Sequence, residues 1–261
     1  MSAVPPRPGT LEAALRRDRL FVGVGLIALA GLAWAYIARL AALMQSHSGM
    51  VMPQVRAWDV GETAGLAIMW IVMMVAMMIP SATPAILLFA GISRRRRVQG
   101  VPAVPVSVFI LGYLLAWTGY AVLAAITQSA LHSAALLSPA MASQSPLLGG
   151  GLLIIAGVYQ WLPLKGACLS HCRSPLGFFS THWREGISGA AGMGFRHGSY
   201  CVGCCWALMA LLFVAGVMNL LWVVAITGFV LVEKVVPHGR FLGLITGILL
   251  AGSGLWLVVI G

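Results

Sequence analysis

Charge is what this sequence has least of. Only 8% of its 261 residues are Asp, Glu, Lys or Arg, where an ordinary soluble domain carries about a quarter. Six residues are acidic. No polar segment is long enough to build a soluble core, so a water-soluble globular enzyme is excluded. A nucleotide-binding motif is also missing, which disfavours an ATP-driven pump. Nor does any internal repeat relate one half of the chain to the other, so the inverted-repeat architecture of many transporters lacks support. The opening stretch MSAVPPRPGTLEAALRRDR leads into a long apolar run without a small-residue cleavage site. We read it as a retained tail rather than a signal peptide.

What the chain does have is apolar length. Hydrophobic residues make up 60% of it, in runs near the roughly 20 residues a helix needs to cross a bilayer. Backbone groups in lipid must be satisfied within their own segment, so these runs are expected to be helices. The 31 glycines suit close packing between such helices. The expectation is an all-α, polytopic transmembrane bundle of about seven helices. The spans fall near 20–43, 63–92, 104–131, 147–164, 201–218, 220–236 and 241–260. Residues 1–19 form a cytoplasmic tail and 20–261 a single membrane domain. The second span carries Pro80 and Pro84, where a local break is expected. The polar segment 165–200 is expected to lie in the cytoplasm, and Met218-Asn219-Leu220 to make a tight hairpin.

The net charge of +10 does not point to nucleic acid, because the basic residues lie between apolar spans. With the N-terminus inside, fourteen of the 16 Lys and Arg residues are cytoplasmic and only Arg39 and Arg56 are outside. That asymmetry is the ordinary topology signal, and it puts the C-terminus outside. Tryptophans near the span ends, such as Trp58, Trp161 and Trp183, read as interfacial anchors.

All five cysteines fall in two tight groups: Cys168 and Cys172 in KGACLSHC, and Cys201, Cys204 and Cys205 in CVGCC. Residues three or four apart share a helix face, so each group can present two thiols together. His171 lies within the first group and His197 just ahead of the second. Both groups are expected at the cytoplasmic boundary, where thiols stay reduced and closely spaced cysteines favour metal binding or redox chemistry. Lys165, Arg173 and Arg196 are placed to favour the thiolate form.

Thioethers accompany the thiols. MWIVMMVAMM puts Met69, Met73 and Met77 on one helical stripe with Met74 and Met78 beside it, and MQSHSGMVM gathers Met44, His47, Met50 and Met52 in a loop. Thiolates and thioethers together select Cu(I); zinc, the alternative, prefers closed sets of Cys and His. Packing alone can explain the methionine stripe. The candidate metal ligands are therefore Cys168, Cys172, Cys201, Cys204, Cys205, His171, Met73 and Met77. Near the end of the sixth span, Lys234 is expected to snorkel to the interface, and Glu233 to support the cysteine site.

The blocks MWIVMMVAMMIPS, YQWLPLKGACLSHCRSPLGF and CVGCCWALM, with the VEK of the sixth span, carry a resemblance. They resemble the signature blocks of a bacterial family of predicted metal-binding integral membrane proteins, long classed as a domain of unknown function. That family is similar to a membrane copper chelator or metallochaperone associated with a bacterial tyrosinase. The resemblance implies copper handling in the bacterial inner membrane, with the five cysteines as ligands. It implies delivery of Cu(I) to a cuproenzyme client, without catalysis by the chain itself. Two other readings compete: a membrane thiol–disulfide oxidoreductase using the CVGC pair, and a structural subunit whose cysteines merely pack.

The topology has a direct test. Reporter fusions after Arg97 and after Gly261 should report cytoplasmic and extracytoplasmic positions respectively; the same side for both would change the helix count by one.

Overall fold

A computed structural model describes residues 8–47, 59–100, 102, 104–138, 141–237 and 239–261, with backbone alone at 8–18, 45–47 and 240. Met50 and Met52 of the Met/His loop, and Arg56 and Trp58, lie outside the described residues, as does the side chain of His47.

The described chain is helical, as the composition requires. In order it forms α1 (Pro8–His47), α2 (Val60–Val98), α3 (Val106–Ser133), α4 (Pro146–Trp161), α5 (Pro163–Arg173), α6 (Pro175–His182), α7 (Gly186–Ala210), α8 (Leu212–Ala215), α9 (Leu220–Val235) and α10 (Gly239–Ile260). Local chemistry sets several of the starts. A capping box between Asp59 and Glu62 opens α2. The Asn219 side chain accepts the Trp222 N–H at 3.3 Å and opens α9. Helices α4, α5 and α6 each begin on proline, whose missing N–H is harmless in a first turn. Pro163 also disfavours helical geometry at Leu162, and the chain turns by 67° between α4 and α5 there.

Five helical segments are long and apolar enough to cross a membrane: Arg19–Met44, Val60–Val98, Val106–Ser133, Gly186–Ala215 and Phe241–Ile260. The bent α4–α5 pair makes a sixth if it counts as one span. At 16 residues, α9 falls short of the roughly 20 that a span requires. Large apolar side chains such as Leu20, Ile27, Leu111, Leu123, Leu221 and Leu249 cover the outside of the bundle.

Glycine lets two helix pairs touch backbone to backbone. Gly150 and Gly157 of α4 meet Gly254 and Gly247 of α10: a Cβ on Gly157 would stand 2.7 Å from the Gly247 carbonyl oxygen, and one on Gly254 2.6 Å from that of Gly150. Between α3 and α7, a Cβ on Gly198 would stand 2.7 Å from the Tyr113 oxygen. Such contacts are how helices associate where no hydrophobic force drives them together.

The basic residues gather at one end. Arg19 reaches Gly91, near the Arg95, Arg96 and Arg97 of the last turn of α2. Arg96 pairs with Glu185 and lies over the Trp183 ring at 5.2 Å. Asp59 and Glu62 begin α2 at the opposite end.

One expectation needs correction. The break at Pro80 and Pro84 does not occur, and α2 runs unbroken from Val60 to Val98 with both prolines inside. Pro80 cannot donate to the Ala76 carbonyl one turn back. The indole N–H of Trp34, on α1, donates to that carbonyl at 3.1 Å instead. Met77 and Met78 nonetheless face the interior, both essentially inaccessible. The polar segment 165–200 forms α5, α6 and α7 as far as Tyr200. Within it, Gly194 and Gly198 are where α3 presses against α7.

The substitution Trp34→Phe should cost about 1–3 kcal/mol in thermal unfolding in detergent, the price of an unpaired buried carbonyl. In a Pro80→Ala background the restored N–H takes that carbonyl, and the same change should cost measurably less. Strictly additive costs would refute the compensation.

Candidate metal centre

Helix α7 supplies the floor of the site. Cys201, Cys204 and Cys205 lie on its buried side, each about 1% exposed, and all five cysteines are free thiols. The span expected to begin at Cys201 begins earlier. Cys201 stands more than half-way along α7, in the bundle interior, because the helix begins at Gly186 rather than at the first cysteine. The thiols of Cys204 and Cys205 donate back to the Cys201 carbonyl at 3.1 and 2.9 Å.

The bend at Leu162 lays α5 against α7 and brings the second cysteine group in. Cys172 Sγ lies 4.0 Å from Cys204 Sγ. Cys168 crosses at Gly203, where a Cβ would stand 2.7 Å from its sulfur. The Tyr159 hydroxyl of α4 donates to the Gly203 carbonyl and ties the bend to α7 at the same level. From α2, Met78 brings its thioether to 4.0 Å from Cys205 Sγ. Met73 and Met77 are buried in the same core, each 1% exposed, but Met78 is the methionine in contact with a cysteine sulfur. His171 is half-buried. Its Nδ1 lies 2.9 Å from the Ala167 carbonyl and its ring stacks on Tyr200 at 4.1 Å.

Three residues around Cys201 were missed in the sequence. Lys234 does not snorkel: it is 8% exposed, and its Nζ donates to Cys201 Sγ at 3.0 Å and to Ser81 Oγ at 3.0 Å. The Tyr113 hydroxyl lies 3.1 Å from the same sulfur. A buried ammonium needs an anionic partner, and the nearest group able to become one is the Cys201 thiol. The cation at the cysteines is therefore Lys234, not the Lys165, Arg173 or Arg196 expected. Arg173 donates to the carbonyls of Val236 and Pro237, and Arg196 to the Tyr200 hydroxyl. Lys165 forms a buried ion pair with Glu233 at 2.5 Å and also donates to Gln160. Glu233 thus joins α9 to α5 and braces the cysteine helix from behind. The VEK sequence was the available signal: adjacent Glu and Lys at the end of a span, each facing a different buried partner.

Chemically, the arrangement offers sulfur in pairs. Two sulfurs 4.0 Å apart can be bridged by one ion at a thiolate–metal distance of about 2.3 Å. Among the described residues, no group of three or more His, Cys, Asp or Glu is disposed to hold a metal. The closed four-ligand set that structural zinc demands is not found there. A soft ion content with few sulfur ligands suits the pair better.

Glu233→Gln leaves Lys165 charged and unpaired in the interior. It should destabilise the protein by about 3–5 kcal/mol in thermal unfolding. The double variant Lys165→Met/Glu233→Leu should recover most of that loss, and a double as unstable as the single would show that the pair is not the cause.

These residues fall within a region that can be compared with known proteins. No curated protein and no solved structure matches the chain. A family model described as a copper chaperone, PpoB2, matches residues 67–257. The match begins early in α2, ends in α10, and takes in every cysteine together with Met78, Tyr113 and Lys234. It covers well over half of the sequence, and the chain belongs to the PpoB2 family of copper chaperones.

Proposed function

We propose that this chain is an integral membrane chaperone that holds Cu(I) between the thiols of α5 and α7 and passes it to a cuproenzyme client. The observation that carries the reading is the 4.0 Å approach of Cys172 and Cys204 inside a group of five free cysteines, of which Cys201, Cys204 and Cys205 are buried and Cys168 and Cys172 half-buried. Neighbouring sulfurs make the hold exchangeable: Cys201, Cys205 and the Met78 thioether lie beside the pair, so an ion can change partners without leaving a soft environment. Copper is cargo here and keeps its oxidation state throughout. The chain catalyses nothing. The proposed ligands are Cys168, Cys172, Cys201, Cys204 and Cys205, with Met78 beside them; Met73 and Met77 line the core, and His171 stands at the edge.

The bilayer is the proposed surroundings, on the strength of the five long apolar helices and the apolar exterior. We take the chain to cross seven times, counting the bent α4–α5 pair and the short α9, with its N-terminus inside and residues 20–261 as one domain. The basic end formed by Arg19, Arg95, Arg96, Arg97 and Arg184 then faces the cytoplasm, and the inner membrane of a bacterium is the proposed location. The oxidoreductase and structural-subunit readings gain no support from the family match.

Copper stoichiometry and affinity of the purified protein test the proposal. Cys172→Ser and Cys204→Ser should weaken one and the same binding event by more than roughly tenfold, since outer partners of a metal alone cost that much. Two independent events, each affected by one substitution only, would break the shared site. Unchanged binding in both variants and in Cys201→Ser would end the copper reading. Binding should also weaken as pH falls, because protons compete with the ion for the sulfurs.

A further inference from the structure

Cys201 and Cys205 of α7 are buried, so cargo bound there needs a way in. One face of α7 repeats every four residues as Met193, His197, Cys201 and Cys205. Residues four apart share a face, and each step advances about 6 Å along the axis. All four are buried, none more than 3% exposed. The row begins at an opening. A cavity of 290 Å³ at the basic end is lined by His182, Arg184, Gly189, Met193 and Arg196, and Met193 therefore reaches both this opening and the interior. The row ends at the thiols, with Met78 against Cys205.

His197 is the position that packing does not explain. Its ring is enclosed by Phe109, Tyr113 and Phe178, with centroids at 6.2, 6.1 and 5.1 Å. Its Nδ1 is buried without a hydrogen-bond partner. The other buried side-chain nitrogens in that condition among the described residues are the indole nitrogens of Trp117 and Trp183. An indole nitrogen can only donate, whereas one nitrogen of a neutral imidazole carries a free lone pair. Leaving a buried polar atom unpaired costs free energy, and imidazole is a good ligand for copper.

We propose that His197 is a further copper ligand, a relay between the cavity at Met193 and the thiol cluster at Cys201. The proposal rests on the copper-chaperone reading and adds to it a route and an entrance. Arg184 and Arg196 make the entrance electropositive, and Glu185, the acidic residue there, is held by Arg96. A bare cation is disfavoured at such an opening, whereas Cu(I) carried in an anionic complex is attracted to it. Transfer is ligand exchange: copper leaves the carrier for the Met193 thioether and the His197 nitrogen, and then for the Cys201 sulfur, remaining Cu(I) at each step.

The test presents Cu(I) held by an anionic chelator to the purified protein in detergent and follows loading by stopped-flow. His197→Phe keeps an aromatic ring in the cage and removes the nitrogen; Met193→Leu removes the thioether. Each should slow loading by about tenfold or more, equivalent to about 1.4 kcal/mol of barrier, and should affect the rate more than the equilibrium affinity. Wild-type loading rates in both variants overturn the relay while leaving the thiol site standing. Absence of copper binding in the wild-type protein would instead remove the parent reading. A second measurement does not depend on how well His197→Phe folds. With all five cysteines replaced by serine, so that the thiol cluster cannot take the ion, X-ray absorption should detect nitrogen beside the Met193 sulfur in the copper shell. A shell of sulfur alone in that variant overturns the proposal.

Discussion

Lys234 brings an ammonium group into the interior of a helix bundle, and much of the surrounding structure answers to it. An ionisable group in such a place is expensive unless paired. The groups within reach are the Cys201 sulfur and the Ser81 hydroxyl, each 3.0 Å away. The pairing fixes the end of α9 against the middle of α2 and the middle of α7, so a short helix of 16 residues becomes part of the site. It also selects Cys201 among the five cysteines as the sulfur with a cation beside it. Thiolate is the form in which a cysteine binds metal. The adjacent Glu233 turns the other way, to Lys165. Two consecutive residues thereby hold both cysteine-bearing helices.

Close approach of backbones makes this density possible. Helix α3 lies against α7 through Gly198 and its neighbours, which brings the Tyr113 hydroxyl to Cys201. Helix α10 lies against α4 through two pairs of facing glycines, and α4 in turn holds α5 across a bend. A side chain at any of these contacts would push the helices apart by an ångström or more, a large displacement for sulfurs 4.0 Å apart. The abundance of glycine is thus tied to the placement of the sulfurs through packing, and the helices that carry the cysteines are placed by residues with no chemistry of their own.

Helical character, the run of apolar segments and the crowding of cysteines into two groups follow from the sequence alone. They rest on local properties: apolar length, spacing along a helix, and the need to satisfy backbone groups within a segment. Economy of soft ligands suggests that the two cysteine groups share one site, but which sulfurs meet, Cys172 with Cys204, is no local property, since 32 residues separate them in the chain.

Other features were decided by partners from distant parts of the chain. Pro80 predicts a break until Trp34, on another helix, supplies the missing donor to Ala76. The glycines of 186–200 carry no local sign of helix, since glycine is a poor helix former in isolation, and their use is seen only where α3 needs the space they leave. Lys234 is expected at an interface because a flexible, charged side chain ordinarily finds water; only the placement of Cys201 and Ser81 beside it holds it inside. Local sequence determined which segments are helices and which residues carry soft ligands. Tertiary structure alone decided which sulfur meets which, and where the buried charges close, because those outcomes depend on contacts between helices that no local pattern encodes.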